Sequence, residues 1–204
     1  TTALIGHWKF DGDVQDASGK GNHGTVGGAP FFVAGKDGQA IDLGGGADYV
    51  AIDGVVDDIT SPDMTISLWI NTTQADEGEL VAANDSTSGH PFMLGVSGGN
   101  VYVNDGGDTL FPPAINDGEW HHAAYVREGS QGTVSVDGRS VGSYVSGFEL
   151  DTVTRWSFGQ EWDDATASNF YMGRIDEARI YDAPLSPAEV ASLAGLTEMM
   201  HKPF

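Results

Sequence analysis

Turn signals punctuate this chain about every ten residues, and the runs between them are short, apolar or alternating. Gly35-Lys36-Asp37-Gly38, Gly44-Gly45-Gly46-Ala47-Asp48, Gly98-Gly99-Asn100 and Asn116-Asp117-Gly118 are plain examples. The clearest run is Met64 to Asn71: Met64, Ile66, Leu68 and Ile70 fall on one face, Thr65, Ser67, Trp69 and Asn71 on the other. Such a strand lays one face on a core. Asp137-Gly138 between two alternating runs is the strongest short-range hairpin signal. Only Ser186 to Ala194 reads as a helix, with Ser186 as N-cap, Pro187 at the first helical position, Glu189 completing a capping box and Gly195 ending it. The pattern predicts an all-β, two-sheet antiparallel sandwich with one short C-terminal helix. It predicts one domain over residues 1–196 and a tail over 197–204, with Gln160 to Asn169 a polar loop. At 204 residues the chain buries a core without disulfides, and it has no cysteine.

Thirty Asp and Glu stand against nine Lys and Arg, a formal charge of −21. Nucleic acids and anionic membranes need clustered cations, so neither is an expected partner. No stretch is long and apolar enough to insert in a membrane. The acids are spread along the chain, a balance that favours divalent cations and neutral ligands. The start, Thr1-Thr2, reads as that of a domain excised from a larger multidomain chain.

The densest oxygen-rich segment follows the first strand: Asp11-Gly12-Asp13-Val14-Gln15-Asp16-Ala17-Ser18-Gly19-Lys20-Gly21-Asn22-His23-Gly24. Carboxylates at 11, 13 and 16 with the Asn22 amide are ligands that a hard cation such as Ca²⁺ prefers. A solvated Gly/Asp turn is the plainer reading of the same residues.

Several motifs together extend that reading. They are His7-Trp8-Lys9-Phe10-Asp11, Asp16 to Gly24, Gly38-Gln39-Ala40-Ile41-Asp42-Leu43, Thr65 to Ile70, Gly118-Glu119-Trp120-His121-His122, Val134 to Gly138, and Gly173-Arg174-Ile175-Asp176-Glu177-Ala178-Arg179-Ile180-Tyr181 with Leu185 to Val190. In this order and spacing they resemble the bacterial laminin-G-like domains of the concanavalin A-like lectin/glucanase superfamily, over about residues 4–194. The resemblance implies a jelly roll whose first strand pairs near its last, bringing Asp176 towards the opening loop. It also implies a calcium ion there, with Asp11, Asp16 and Asn22 side chains, the Gly24 carbonyl and Asp176 as ligands. Asp13 lies beside that set, and pairing with Arg174 or Arg179 is the structural alternative for Asp176.

Enzymatic signatures are missing. Retaining glycosidases on this fold carry closely spaced carboxylates on one strand face. Glu149-x-Asp151 has no third acid, and Glu161-Trp162-Asp163-Asp164 falls in the expected loop. A lyase would need a His/Tyr/Arg set; His121, Tyr125 and Arg127 share a face while His122 lies on the other. Binding remains. Sugars stack on aromatic faces while polar side chains hold their hydroxyls. Trp162 with Gln160, Glu161 and Asp163 offers both, and Asn84, Asp85, His90, Tyr102 and Asn104 lie on strand ends that could converge with them. Trp8, Trp69, Trp120 and Trp156 fall within strands, where core packing is expected. The sequence therefore suggests a non-catalytic, calcium-stabilised carbohydrate-binding module, extracellular or at a cell surface, taking a glycan or other cell-surface ligand. The alternatives are a protein- or peptide-binding adhesion module and, less favoured, a polysaccharide lyase or glycoside hydrolase.

Overall fold

The computed structural model describes residues 4–85, 89, 91–163 and 165–196. His90 and the tail over 197–204 lie outside the described residues. In chain order the strands are β1 (Leu4–Trp8), β2 (Thr25–Gly27), β3 (Phe31–Ala34), β4 (Gln39–Gly44), β5 (Tyr49–Ala51), β6 (Met64–Asn71), β7 (Gly78–Asn84), β8 (Phe92–Ser97) and β9 (Asn100–Asn104). They continue as β10 (Asp108–Ala114), β11 (Trp120–Glu128), β12 (Gln131–Val136), β13 (Arg139–Val145), β14 (Arg155–Phe158), β15 (Glu161–Asp163), β16 (Thr166–Ser168) and β17 (Met172–Tyr181), and the helix is α1 (Pro187–Leu193).

Two antiparallel sheets face each other, as the turn spacing predicts. The first runs β13-β12-β11-β6-β17-β4-β3, with β1 also on β17. The second runs β10-β9-β8-β7-β14-β5-β2. β17 joins the ends of the chain: it pairs β4 through residues 172–175 and β1 through residues 178–181. A bulge between Asp176 and Arg179 separates the two halves, and Glu177 sits there at φ 50°.

The core lies between the sheets. Met64, Ile66, Leu68 and Ile70 are all buried in it, facing Leu80, Phe92, Trp156 and Phe158 of the second sheet. Each such side chain contributes roughly 1.5–3 kcal/mol of burial. Trp8 and Trp156 are fully buried as expected. Trp69 and Trp120 are not: they are only partly buried, and Trp69 lies on the outer face of the first sheet with the Lys36 ammonium 4.1 Å from its ring centroid.

The outer face of the first sheet is covered by α1 and the residues leading into it, which pack Val190 and Leu185 with Ala124. Its capping box forms as the sequence predicts, Ser186 accepting from the Glu189 N–H. Under this cover, His122 bonds Ser67 Oγ at 2.8 Å, and burial pushes the imidazole down to about 4. The set suggestive of a lyase is thereby dispersed. Tyr125 and Arg127 are buried inside the sandwich. His121 sits at its rim between Asp137 (2.9 Å) and Asp117 (3.2 Å). Burial opposes its charge, but the two carboxylates outweigh burial and raise its pKa.

The expected loop from Gln160 to Asn169 is instead the hairpin β15–β16, laid on the outer face of the second sheet against β7. Period-2 patterning is invisible in three-residue strands, and this hairpin is held by contacts with β7 and β5 rather than by its own sequence.

Candidate functional site

The residues of the implied calcium site divide between two structures. In the first, Asp16 is the hub. Its Oδ1 accepts the His7 N–H (2.9 Å) and the Ser18 N–H (2.8 Å). Its Oδ2 accepts Ser18 Oγ (2.8 Å), the Gly21 N–H (3.0 Å) and the Asn22 N–H (3.0 Å). Burial opposes the charge, yet these donors outweigh it and hold the carboxyl below the ordinary range. A carboxylate has about four lone-pair sites, so five donors leave none for an ion. Asn22 is also tied locally: its side-chain Nδ2 donates to the Ile5 carbonyl (3.0 Å) and Asp58 (2.8 Å), and its backbone carbonyl receives Trp8 Nε1 (2.9 Å). Gly24 is required for packing, since a Cβ there would stand 2.5 Å from Val50 Cγ1. As placed here, Asp16 and Asn22 tie the loop to β1 through protein groups.

The second structure is the turn at residues 35–38 between β3 and β4. Asp11 Oδ1 accepts the Gln39 N–H at 2.8 Å. Asp176, from β17, accepts the Lys36 and Asp37 N–H groups through Oδ2 at 2.7 and 2.9 Å. Gly35 and Gly38 make this approach possible: a Cβ would lie 2.6 Å from Asp176 Oδ2 or 2.1 Å from Asp11 Oδ1. Asp176 is fully buried, and its Oδ1 has no hydrogen-bond partner. Desolvation raises its pKa to about 6 against the backbone donors. It pairs with neither neighbouring arginine: Arg174 bonds Asp42 (3.1 Å), and Arg179 bonds Glu177, which also takes His7 Nε2 at 2.9 Å. Among the described residues no group of three or more His, Cys, Asp or Glu side chains gathers as a metal cluster. Asp176, with its orphaned buried Oδ1, and Asp11 have lone pairs to offer the implied calcium; the Asp16 carboxylate is already ringed by five donors.

The polar–aromatic set also divides. Trp162 is partly buried on β15, with Tyr49 edge-on (centroids 5.4 Å, interplanar 82°) and the Arg155 guanidinium 4.6 Å from its ring centroid. Asp163 is exposed beside it. The residues expected to help it lie underneath. Gln160 and Asn84 are fully buried, and Asn84 Nδ2 reaches the Trp162 carbonyl at 3.3 Å. Glu161 is 4% exposed. Tyr102 is buried, its hydroxyl donating to Glu79. Asn104 bonds Asp108 at 2.7 Å, and Asp85 closes its own turn through the Gly89 N–H at 3.0 Å. Of this set, Asp163 is exposed and Trp162, Asn104 and Asp85 are half-buried; Tyr49 and Arg155, also half-buried, meet Trp162 and escape sequence reading because they come from other strands.

The strand assignment changes one enzymatic argument. Glu161 and Asp163 do share a face, because Ser168 Oγ bonds Glu161 at 3.3 Å and Asp163 at 3.0 Å. Glu161 is nonetheless buried, so the two acids do not flank an open cleft.

Residues 44–191 match the family model for laminin-G-like domains of the concanavalin A-like lectin/glucanase superfamily, and the chain belongs to this family. Domain 4 of AbnA, a GH43 extracellular arabinanase from Geobacillus stearothermophilus, seen in complex with arabinotriose, superposes with a TM-score of 0.76 at 22% identity, over 95% of this chain and 98% of that one. The binding domain of Paraclostridial Mosquitocidal Protein 1 gives a TM-score of 0.72 at 18% identity, over 94% of this chain and 52% of that one. In sequence, the rat (Rattus norvegicus) Sushi, von Willebrand factor type A, EGF and pentraxin domain-containing protein 1 is 28% identical over 163 residues, which are 72% of this chain and 4% of that protein. No helix among the described residues is long and apolar enough to cross a membrane.

Proposed function

We propose that this domain is a non-catalytic carbohydrate-binding module of an extracellular protein, reading a neutral oligosaccharide at Trp162. The observation that carries the reading is the Trp162 platform on the outer face of the second sheet, with Tyr49 at its edge, the Arg155 guanidinium over its ring and the exposed Asp163 alongside. Pyranose or furanose C–H groups stack on the aromatic surface, while Arg155 and Asp163 hold hydroxyls. Arg155 makes no ion pair among the described residues, although acids outnumber bases more than threefold in the chain. It is therefore free to bond a ligand. The arabinotriose complex of the Geobacillus domain and the extracellular module names in the rat relative support the same class.

Calcium belongs to this proposal at the clasp. Asp176 Oδ1 and Asp11 would hold it, and its charge would offset the buried Asp176 carboxylate. The ion's work there is structural, fixing β17, the 35–38 turn and the opening loop together.

The test is calorimetric titration with arabino- and xylo-oligosaccharides, using the wild type and Trp162→Ala. Wild type binds, and the variant loses at least about tenfold in affinity, some 1.4 kcal/mol, with its melting temperature preserved. Undiminished binding by Trp162→Ala removes this site. A peptide array that binds where no glycan does would favour the adhesion-module alternative. Release of reducing ends from arabinan would overturn the non-catalytic role.

A further inference from the structure

α1 and the 35–38 turn cover part of the first sheet's outer face, and one complete cross-strand row lies beyond them. Strand register builds this row. Phe31 of β3 pairs Asp42 of β4, Asp42 pairs Arg174 of β17, Arg174 pairs Asn71 of β6, and Asn71 pairs Trp120 of β11. Directly paired residues share a sheet face, with Cβ atoms about 4.5–5.5 Å apart. The alternate row, Ile41, Ile175 and Ile70, is fully buried in the core, so the row from Phe31 to Trp120 points outward. Phe31 is 55% exposed and the Arg174 side chain 41%. Asp42, Asn71 and Trp120 are half-buried. Neighbouring strands lie about 4.8 Å apart, so four steps set the two aromatic residues roughly 19 Å from each other.

The row is polar in the middle and aromatic at its ends. Arg174 Nε bonds Asp42 Oδ2 at 3.1 Å, and its terminal guanidinium nitrogens have no hydrogen-bond partner among the described residues. Asn71 Nδ2 donates to the Gly118 carbonyl at 2.5 Å, and Asn71 Oδ1 has no protein donor among the described residues. Neither the Phe31 nor the Trp120 ring stacks on another described ring. Met172, two residues before Arg174 on the same face, is exposed, and its partner Gly44 has no side chain to cover it. The one cation of the row is matched by Asp42 in a chain of net charge −21, so an anionic ligand is repelled. An extended peptide adds along a sheet edge through backbone bonds; this row crosses five strands and offers side chains alone. Aromatic faces for sugar C–H groups, with donors and acceptors for hydroxyls between them, suit a chain of neutral sugars. We propose that this row is a second binding surface, on the sheet opposite Trp162, and that it takes a linear neutral oligosaccharide laid across β3, β4, β17, β6 and β11. The ligand class rests on the carbohydrate-binding reading, but the surface shares no residue with the Trp162 platform, so the two can fail separately.

The test is NMR of the full isotope-labelled chain, following the indole N–H signals of Trp120 and Trp162 during titration with xylo- and arabino-oligosaccharides, from disaccharide to hexasaccharide. Trp120→Phe and Trp162→Phe assign the two signals. The Trp120 signal should move in wild type and equally in Trp162→Ala, with an affinity that rises with ligand length. The weaker binding that Trp162→Ala retains should be that of this surface, so adding Trp120→Ala abolishes it. Arg174→Ala should weaken binding read at Trp120 by about tenfold or more and leave the Trp162 titration unchanged. Phe31→Ala removes an exposed ring and should weaken the hexasaccharide far more than the disaccharide, with the melting temperature preserved. A Trp120 signal that stays fixed while Trp162 moves overturns the proposal, as does a Trp120 shift that Arg174→Ala and Phe31→Ala leave intact. Two signals that move with none of these sugars also overturn it. A Trp120 shift with Trp162 fixed supports this surface and removes the Trp162 site.

Discussion

Two buried acidic centres lie on opposite sheets of this sandwich, and they solve one electrostatic problem differently. At the opening loop, glycines and small residues turn five donors onto Asp16, four of them backbone N–H groups. The carboxylate is stabilised where it stands, and its pKa falls. Beneath the β15–β16 hairpin, Glu79 meets one hydroxyl and other carboxylates, and its pKa rises. Glu79 is the more deeply buried and has the fewer donors, so desolvation wins there and hydrogen bonding wins at Asp16. Asp176 stands between these extremes: one oxygen is served by two N–H groups and the other by none. A buried acid with unmet lone pairs is where a counter-ion is needed, and an acid ringed by donors is where it is not.

The comparison can be broken most directly at Asp16. Asp16→Ala strands several buried N–H groups and should cost about 3 kcal/mol or more in urea unfolding, with or without calcium. A loss that grows when calcium is present would mean that Asp16 serves the ion after all.

Asp176 gives a pH signature of intermediate size. Its folded pKa, about 6, lies above the ordinary aspartate value of 3.8. The folded state therefore binds the proton more readily than the unfolded chain. In chelated protein this carboxyl should contribute more stability as pH falls from above 6 towards 4, and Asp176→Asn should abolish that increment. Added calcium should restore stability at neutral pH in wild type and fail to do so in Asp176→Asn. A chelated pair with parallel pH profiles would remove the desolvated-acid account of this residue.

Asp11 should give the smallest effect. It makes one exposed bond to the Gln39 N–H, and Asp11→Ala should cost about 1 kcal/mol without calcium. A larger loss that appears only when calcium is present would sharpen the clasp, making Asp11 a ligand in addition to a turn cap.

Much of this architecture is legible from local chemistry. The alternation from Met64 to Ile70 fixes a core face, Asp137-Gly138 makes a hairpin with both residues at positive φ, and the Ser186 box starts the helix. The clustering of oxygen-bearing residues after β1 is legible as well. Their division of labour is not legible, because it depends on which backbone N–H groups the turn at 35–38 and the loop at 18–22 direct inward. Glu79 carries a weak sequence signal, a lone charge entering an apolar run. Tyr49 carries none, since it meets Trp162 from a strand far away in the chain, and Arg155, although close in sequence, is brought over the ring only by the turn that folds β15 back on β14.

Local sequence sets the strands, the turns between them and the chemistry available in each segment. Those follow from side-chain period and from local backbone preferences, which act within a few residues. Which carboxylates are satisfied and which are orphaned is settled by the pairing of distant strands. That pairing places β17 against β1 and β4, so Asp176 meets a turn some 140 residues earlier in the chain. Tertiary packing also folds the short hairpin onto β7, burying Glu161 beside Glu79 and leaving Trp162 at the surface. The physical reason is that the free energy of a charge in a protein depends on the donors and charges that surround it in space, and strand pairing supplies these from distant parts of the chain.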